Sequence, residues 1–178
     1  MSQSAALLSA ICTNSTIREI PKGALLLKEG DICKHIFYIE SGHLRFYYEK
    51  NDRQINVHFA FEEQYATNLK SFLYETPSDY FIEAGETCFL RKLDKPFVDS
   101  LNNDITLAAG FSRNMVKLAI SQEEHNHFFK IYTPAERYEY VAKNHPILLQ
   151  RIPLVQLCSY LGISRKTLCR IRRNILTS

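Results

Sequence analysis

Short hydrophobic runs separated by turn residues fill the first half of the chain. The runs end at glycine or polar turns such as Pro21-Lys22-Gly23, Glu29-Gly30-Asp31 and Ser41-Gly42. Evenly spaced short strands joined by such turns are typical of an antiparallel sandwich or barrel. The pattern predicts a short amphipathic helix within 1–15, followed by strands at 17–20, 24–28, 36–40, 43–48, 54–61, 80–84 and 87–93.

Helical spacing replaces this pattern after Asp94. A short helix is predicted over 95–101, and a long one from Asp104 to about Phe129. One apolar stripe along so long a helix is typical of a dimer seam, although packing against the β part of the same chain is an alternative. The stripe consists of Ile105, Ala108, Phe111, Met115, Leu118, Ala119 and Gln122.

The sequence Thr133-Pro134-Ala135-Glu136 is a capping box with proline at the first helical position, so a new helix is predicted to run to about Lys143. Two short helices then follow in the stretch PLVQLCSYLGISRKTLCRIRR, which begins at Pro153. Gly162 suits the turn between them because it can adopt a positive φ, and Ser164 is a good N-cap for the second helix. The apolar positions expected to hold the two helices together are Leu154, Leu157, Cys158, Leu161, Leu168 and Ile171.

This layout is a helix-turn-helix, which places its second helix in the major groove of DNA. Arginine can bind guanine O6 and N7 bidentately, so Arg165 and Arg170 are predicted to read bases, together with Lys166. Arg172 and Arg173 are predicted to contact phosphates. The predicted DNA-binding set is Ser164, Arg165, Lys166, Thr167, Arg170, Arg172 and Arg173. A helical hairpin with a solvated basic face is the alternative.

Charge supports the DNA interpretation. The chain has 178 residues and a net charge of +3, but residues 140–178 contain seven Lys or Arg and no Asp or Glu. Residues 1–139 contain 15 basic and 19 acidic residues, so only the C-terminal part is expected to meet a polyanion. The five cysteines form no C-x-x-C pair, which argues against a disulfide framework, a zinc site or an iron–sulfur cluster and favours a reducing, cytoplasmic setting.

Catalytic and membrane functions find no support in the pattern. No apolar run approaches the ~20 residues that span a bilayer. His125 and His127 lie two residues apart on a predicted helix and so cannot share a metal in the i, i+4 manner, and Glu62 and Glu63 point to opposite faces of a strand. We therefore predict no catalytic residue, no metal and no cofactor.

The order of these parts resembles the Crp/Fnr family of bacterial transcription regulators over nearly the whole chain. The strongest local marks are Glu29-Gly30-Asp31, Tyr38-Ile39-Glu40-Ser41-Gly42 and the terminal SRKTLCRIRR. The resemblance implies an α+β fold: an antiparallel β-roll (a jelly roll of the cyclic-nucleotide-binding type), a long dimerisation helix, and a reduced winged helix-turn-helix. The implied domains are 1–101 for the sensor roll with flanking helices, 102–132 for the dimer helix, and 133–178 for DNA binding.

The stretch 64–84 departs from the family's phosphate cassette. Thr67 and Asn68 stand where cyclic-nucleotide-binding members have Gly-Glu, and Ser78-Asp79-Tyr80 replaces the Arg triplet that would neutralise the phosphate. Binding of cAMP or cGMP is therefore not expected. The candidate effector pocket comprises Tyr65, Thr67, Asn68, Lys70, Ser78 and Asp79. A histidine acting as a haem ligand, as in gas-sensing members, is the less favoured alternative.

The DNA-binding part departs from the family in two places. Many members carry Glu where Lys166 stands, so the operator should differ from the best-known one, because lysine cannot accept a hydrogen bond from cytosine N4. A wing would have to be reduced to little more than 150–152.

The sequence thus predicts a cytoplasmic, homodimeric regulator that binds a palindromic operator in double-stranded DNA. RNA polymerase and an unidentified small-molecule effector stay open as further partners. A β-roll sensor or protein-interaction module without DNA binding is the alternative function, and an enzyme is not expected.

Overall fold

The computed structural model describes residues 3–176, apart from the side chains at 3, 4, 122, 124, 126, 175 and 176. It begins with helix α1 (Gln3–Asn14), as predicted, and continues into a set of short antiparallel strands. The strands are β1 (Ile17–Ile20), β2 (Leu25–Leu27), β3 (His35–Ser41), β4 (Leu44–Lys50), β5 (Arg53–Ala60), β6 (Tyr65–Ala66), β7 (Phe81–Ala84) and β8 (Cys88–Asp94). Seven of these eight were predicted to within two residues.

The strands form two four-stranded sheets with the orders β1-β8-β3-β6 and β2-β7-β4-β5. In the first sheet β1 pairs with β8 from Ile17↔Arg91 to Ile20↔Cys88, and β3 pairs with the other edge of β8, beginning at His35↔Asp94. Apart from the hairpin of β4 and β5, neighbouring strands are not consecutive in sequence, which is the connectivity of a roll rather than of a simple meander. The predicted α+β fold with an antiparallel β-roll is confirmed.

The segment 64–84 contains two elements that the sequence pattern did not reveal. Strand β6 has only two residues, and helix α2 (Leu69–Tyr74) has six. A strand of two residues cannot show an alternating pattern. Helix α2 begins where the side chain of Asn68 accepts a hydrogen bond from the backbone N–H of Ser71.

Helices make up the rest of the chain. They are α3 (Lys95–Ser100), extended by a 3₁₀ turn at Leu101–Asn103, α4 (Ile105–Ile131), α5 (Pro134–Asn144), α6 (Pro146–Arg151), α7 (Leu154–Leu161) and α8 (Arg165–Leu176). The predicted capping box is present, because Glu136 N–H donates to Thr133 Oγ1 and Thr133 N–H donates to Glu136 Oε2. Residues 150 and 151, considered as a wing remnant, are the end of α6, and no strand follows Asp94 within the described residues.

The chain divides into two compact units. Unit 1 comprises residues 1–46 and 59–121, and unit 2 comprises 47–58 and 122–178. Unit 1 contains the core of the roll, whose fully buried side chains include Leu7, Ile11, Ile36, Ile39, Leu44, Phe46, Ile82, Leu90 and Leu93. Unit 2 contains the tip of the β4–β5 hairpin together with the C-terminal helices. No sequence pattern indicated that the hairpin tip belongs with these helices. The predicted three-part division of the chain stays a prediction.

Candidate nucleic-acid interface

The turn between α7 and α8 is built around Gly162. This residue has φ 65° and ψ 35°, and the N–H of Ile163 bonds the carbonyl of Cys158, which closes α7 as a glycine C-cap does. A Cβ at this position would lie 2.6 Å from Cε1 of Phe129. Glycine is therefore required both for the backbone conformation and for the close approach of Phe129.

Helix α8 starts at the predicted serine. Ser164 Oγ accepts a hydrogen bond from Thr167 N–H at 3.1 Å, and the two hydroxyl groups lie 2.9 Å apart. These bonds engage the Ser164 and Thr167 hydroxyls at the helix N-terminus, where backbone N–H groups otherwise lack partners. Ser164 thus has a capping role whatever else it contacts.

The two helices are held together by a small apolar core. Leu157, Cys158, Leu161, Leu168 and Ile171 are all buried, as predicted. The expectation for Leu154 is wrong, since this side chain is 38 % exposed. It belongs to the first turn of α7, whereas the buried positions lie in the later turns that meet α8.

The opposite side of α8 carries the predicted basic residues. Arg165, Lys166, Arg170 and Arg173 are exposed. Arg172 differs, because it is half-buried and its guanidinium carbon lies 5.6 Å from the ring centroid of Tyr138 on α5. Its Nε is buried and finds no acceptor among the described residues. The exposed face therefore presents four cations, and Arg172 is partly engaged in packing.

Arg137 on α5 is a key residue of this unit that the sequence pattern did not single out. Its Nε donates to the carbonyl of Tyr132 at 3.0 Å, while its two terminal nitrogens donate to Leu161 and Phe129, each at 3.2 Å. Its guanidinium carbon also lies 4.5 Å from the ring centroid of Phe129. The Arg137 side chain thereby connects the end of α4, the start of α5 and the last residue of α7 through hydrogen bonds.

The hairpin of β4 and β5 contacts α7 directly. Ser159 Oγ donates to the carbonyl of Gln54 at 2.8 Å and accepts from the N–H of Asn56 at 3.0 Å. Asn56 is buried, with 2 % of its surface exposed. These contacts join residues more than a hundred positions apart, so no local pattern could have indicated them.

An aromatic cluster that includes histidines lies beside this contact. The ring of His125 stacks on Tyr160 at 4.5 Å between centroids, and it meets the rings of Phe128 and Phe129 at 6.0 and 5.0 Å. Burial lowers the pKa of His125 to about 4. Burial, with a smaller contribution from His125 and His145, also lowers the pKa of His58 to about 4. Both imidazoles are therefore neutral at pH 7.

The candidate effector residues in unit 1 bond mainly to one another. Tyr65, Thr67, Asn68 and Ser78 are buried, whereas Lys70 and Asp79 are exposed. Asn68 Nδ2 donates to Ser78 Oγ at 2.9 Å and lies 3.4 Å from Asp79 Oδ1.

Further bonds close this network. Thr67 Oγ1 donates to the carbonyl of His35 at 3.0 Å, and the hydroxyl of Tyr80 donates to the carbonyl of Thr67 at 3.3 Å. Ser78 Oγ donates to the carbonyl of Tyr80 at 2.7 Å. Thr67, Asn68 and Ser78 thus use their side-chain polar atoms in hydrogen bonds within the chain, whereas Lys70 and Asp79 are exposed.

The apolar stripe predicted on α4 lies mostly within the chain's own packing. Leu118 is buried, and Ala108, Phe111 and Met115 are half-buried. Phe111 meets the ring of Tyr65 edge-on at 6.3 Å, so a residue predicted for the dimer contacts a residue predicted for the effector pocket. The side chain of Gln122 lies outside the described residues.

A different face of α4 is exposed and apolar. Ile105 is 86 % exposed, Val116 56 % and Ile120 50 %, and Ala109 and Ala119 are exposed as well. Since each helical residue turns by ~100°, this face lies about 100° around the helix from the centre of the predicted stripe. Only Ile105 and Ala119 of the predicted set belong to it.

The described residues show neither a cluster for metal binding nor a helix for membrane spanning. No group of three or more His, Cys, Asp or Glu side chains is arranged there to hold a metal ion. Within the same residues, no helix combines the length and the apolar character needed to cross a membrane.

The chain is similar to known proteins in the sequence of one domain and in its fold. Residues 17–103 match the model of the cyclic nucleotide-binding domain. No curated protein matches the sequence.

Solved structures of bacterial proteins are similar over nearly the whole chain. A cyclic nucleotide-binding domain containing protein from Listeria monocytogenes EGD-e has a TM-score of 0.77 at 14% identity, covering 99% of this chain and 91% of that one. FixK2 from Bradyrhizobium japonicum has a TM-score of 0.74 at 15% identity, with coverages of 92% and 85%. A Eubacterium rectale protein described as a transcriptional regulator of the crp/fnr family has a TM-score of 0.67 at 16% identity, with coverages of 97% and 83%.

Proposed function

We propose that this chain, a Crp/Fnr-like protein with a cyclic nucleotide-binding domain over residues 17–103, is a sequence-specific DNA-binding transcription regulator. The observation that carries the proposal is the exposed basic face of α8. Leu168 and Ile171 are buried against α7 while Arg165, Lys166 and Arg170 are exposed, as a groove-lying helix requires. The chain then acts through binding and not as an enzyme.

Arg165 and Arg170 are the proposed base readers, and Lys166 lies beside them. All three side chains lie in the first two turns of α8, the part of a recognition helix that contacts base edges. Arg173 extends the same face by nearly one turn and suits a phosphate contact. Arg172 is half-buried over Tyr138, so we assign it a smaller contribution to DNA binding than its position in the sequence suggested.

DNA binding is tested by selecting bound duplexes from a random pool with the full chain. We expect inverted repeats whose half-sites lie one helical turn, ~34 Å, apart, and an affinity that falls steeply with salt because counterions are released from the phosphates. Arg165→Ala should weaken binding to the selected site ~10- to 100-fold and relax the preference at one base pair.

The matched control for that variant is Lys143→Ala, which removes one exposed positive charge from α5 in the same unit. It should change affinity for the selected site less than Arg165→Ala and leave the base preference unaltered. An equal loss of affinity by Arg165→Ala on every sequence would reduce Arg165 to a phosphate contact. A chain that ignored all DNA would instead support the sensor or protein-interaction alternative.

We further infer that cAMP is not the effector. Thr67, Asn68 and Ser78 are occupied by hydrogen bonds within the chain, and the position of the family's phosphate-binding arginine carries Ser78-Asp79-Tyr80. A carboxylate at that point disfavours a cyclic phosphate. Adding cAMP to the DNA-binding reaction should therefore leave the affinity unchanged.

We propose that the active form is a homodimer that pairs through the exposed apolar face of α4. Ile105, Val116 and Ile120 lie along one side of a 27-residue helix, and a continuous apolar seam of this kind matches a second copy of itself across a twofold axis. Two recognition helices would then read the two half-sites of a palindrome. The domain division proposed for the chain, with the dimer helix at 102–132 between the roll and the reader at 133–178, fits this role.

Ile120→Glu is expected to dissociate the dimer by ~100-fold or more, because both copies would place an unpaired carboxylate in an apolar seam. Analytical ultracentrifugation measures the effect. Leu73→Glu is the control, since Leu73 is 62 % exposed but lies on α2, away from the seam. A wild-type chain that sedimented as a monomer, or an Ile120→Glu dimer of unchanged affinity, would refute the assignment.

Control of DNA binding would follow from a shift between two populated arrangements of the reader. Strands β4 and β5 and helix α4 each run from unit 1 into unit 2, so they are the covalent routes between the sensor roll and the reader. The bonds of Ser159 to Gln54 and Asn56 attach the hairpin tip to α7. A ligand that favours one arrangement of the roll would act on the reader through these elements.

A further inference from the structure

A polar cleft of about 430 Å³ opens in unit 1, where the end of α1 meets the sheet β1-β8-β3. The last turn of α1 and the loop after it contribute four hydroxyl or amide side chains at positions 13–16. Strand β1 contributes Arg18, β3 contributes His35, and β8 contributes Lys92 and Asp94. Its volume lies in the range of small-ligand sites, but every lining residue is polar or charged, which suits a hydrophilic ligand. None of these residues belongs to the proposed effector pocket, dimer seam or DNA-reading face.

The charges of the cleft favour an anion. Arg18 and Lys92 are cationic, whereas Asp94 is the single carboxylate among the lining residues and already caps α3 by accepting from Phe97 N–H at 3.1 Å. Burial lowers the pKa of His35 most, and Lys92 lowers it further. Asp94 opposes part of this shift, and Lys34 and Arg18 add smaller lowering contributions. The imidazole is therefore neutral at pH 7, and the cleft keeps an excess of positive charge.

His35 adds an unused polar atom. Its Nδ1 is buried and has no hydrogen-bond partner among the described residues. A buried polar nitrogen without a partner costs free energy.

The side chains at 13–15 offer acceptors rather than donors. Thr13 Oγ1, Asn14 Nδ2 and Ser15 Oγ donate to the carbonyls of Ser9, Ala10 and Ile11. Their oxygen lone pairs remain available, so a ligand would be bound best if it carried hydroxyl groups as well as an anion.

The carbonyls at the end of α1 would by themselves repel an anion. Arg91 offsets this effect, because its Nη1 donates to the carbonyl of Ser15 at 2.7 Å and lies 3.4 Å from that of Cys12. The guanidinium, which is also paired with Glu40, therefore satisfies carbonyl groups at the end of the helix next to the cleft.

We propose that this cleft binds a small hydroxylated organic phosphate, with Arg18 and Lys92 holding the phosphate and Asn14 and Asp94 accepting from the hydroxyl groups. Guanidinium and ammonium groups are the side chains that bind phosphate best in proteins. The proposal does not depend on DNA binding, because it concerns different residues in a different unit.

The test is a titration of the full chain with ribose 5-phosphate at constant ionic strength, followed by the NMR signals of the His35 imidazole. We expect a saturable shift and a rise in the pKa of His35, since a nearby anion stabilises its protonated form. Ribose without phosphate should bind at least tenfold more weakly. A linear, unsaturated response, or equal binding of ribose, would overturn the proposal.

Substitutions locate the site. The double variant Arg18→Gln, Lys92→Gln should weaken ribose 5-phosphate binding at least tenfold. The control is the double variant Lys22→Gln, Lys28→Gln, which removes the same charge from exposed positions outside the cleft lining. It should change ribose 5-phosphate binding less than twofold. Asp94→Asn should tighten binding about twofold while keeping the cap of α3, because asparagine caps as well as aspartate. Equal losses from the two double variants would contradict a defined site.

A measurement of DNA binding distinguishes a free organic phosphate from the phosphates of a nucleic acid as the ligand of the cleft. The Arg18→Gln, Lys92→Gln variant should bind the selected operator within twofold of wild type. If it lost DNA affinity and kept its affinity for ribose 5-phosphate, the cleft would be a nucleic-acid contact and the proposal would be wrong.

Discussion

Lowering the pH from 7 to about 4 is expected to destabilise unit 2 by several kcal/mol. His58 and His125 both lie in this unit, and burial lowers the pKa of each to about 4. In the unfolded chain a histidine has a pKa of ~6.5. Between these values the unfolded chain binds protons that the folded unit does not.

The direction of the effect follows from this difference. The free energy of unfolding falls as the pH drops below ~6.5, because protons favour the unfolded chain, and the loss levels off below about 4, where the folded form is protonated as well. A shift of ~2.5 pH units corresponds to about 3 kcal/mol for each histidine as an upper limit. Two such groups correspond to about 6 kcal/mol at most, which is comparable with the lower end of the 5–15 kcal/mol that typically stabilises a domain.

His125→Phe isolates this contribution. Phenylalanine keeps a planar ring for the 4.5 Å stack on Tyr160 but cannot be protonated. Urea unfolding followed by far-UV circular dichroism should show a free energy of unfolding that falls by about 3 kcal/mol less between pH 7 and 4 than that of the wild type. His127→Phe makes the same change at an exposed position and should preserve the wild-type acid sensitivity. Identical pH profiles for His125→Phe and wild type would show that His125 does not contribute.

Replacing Arg137 with alanine is expected to cost ~2–4 kcal/mol in the stability of unit 2. The guanidinium donates to the carbonyls of Phe129, Tyr132 and Leu161, and hydrogen bonds to charged groups each contribute ~1.5–3 kcal/mol when water does not replace them. Because solvent reaches part of this site, the total lies below the sum of three. The contact with the Phe129 ring adds up to ~1 kcal/mol.

Thermal unfolding measures this loss, and we expect the Tm of Arg137→Ala to fall by roughly 10 °C. Arg137→Lys keeps the charge but cannot direct three N–H groups to three carbonyls, so it should recover only part of the stability. Arg53→Ala removes an exposed arginine of the same unit and should change the Tm little. A full rescue by lysine would mean that only the charge matters and that the three directed bonds do not.

Arg137 also bears on the proposed reader. One of its bonds ends on Leu161, the last residue of α7, and a Cβ on Gly162 would lie 3.4 Å from its Nη1. The guanidinium thus borders the turn that sets the angle between α7 and α8. If the DNA proposal holds, Arg137→Ala should weaken operator binding even at temperatures where the variant is folded.

Local signals accounted for most of the secondary structure. Glycine turns ended the strands, Thr133 and Glu136 formed their capping box, and Gly162 and Ser164 ended and began the helices where expected. Such features depend on residues within four positions of one another, so the sequence displays them directly. Strand β6 was not predicted because two residues cannot show a period, and helix α2 was not predicted although it is as long as α3.

The face that each helix presents was harder to predict. The apolar positions of α4 occupy more than one side, and hydrophobicity does not tell which side the chain itself covers. The structure buries Leu118 and packs Phe111 on Tyr65, which leaves Ile105, Val116 and Ile120 exposed. In the same way, the sequence predicted the same role for Arg172 and Arg173, and only the structure distinguishes the half-buried Arg172, which lies over Tyr138, from the exposed Arg173.

The sequence by itself determined the order of the elements, the basic helix at the C-terminal end and the absence of an arginine at 78–80, because each depends on residue type and local spacing. Only the tertiary structure decided which polar groups are still available. It engages the side chains of Thr67, Asn68 and Ser78 in hydrogen bonds within the chain and attaches Ser159 to a hairpin a hundred residues away. It leaves His35, Arg18 and Lys92 around an open cleft. Which side chains are buried and which hydrogen bonds they form depend on contacts between residues far apart in sequence. The pattern of residue types along the chain does not specify those contacts.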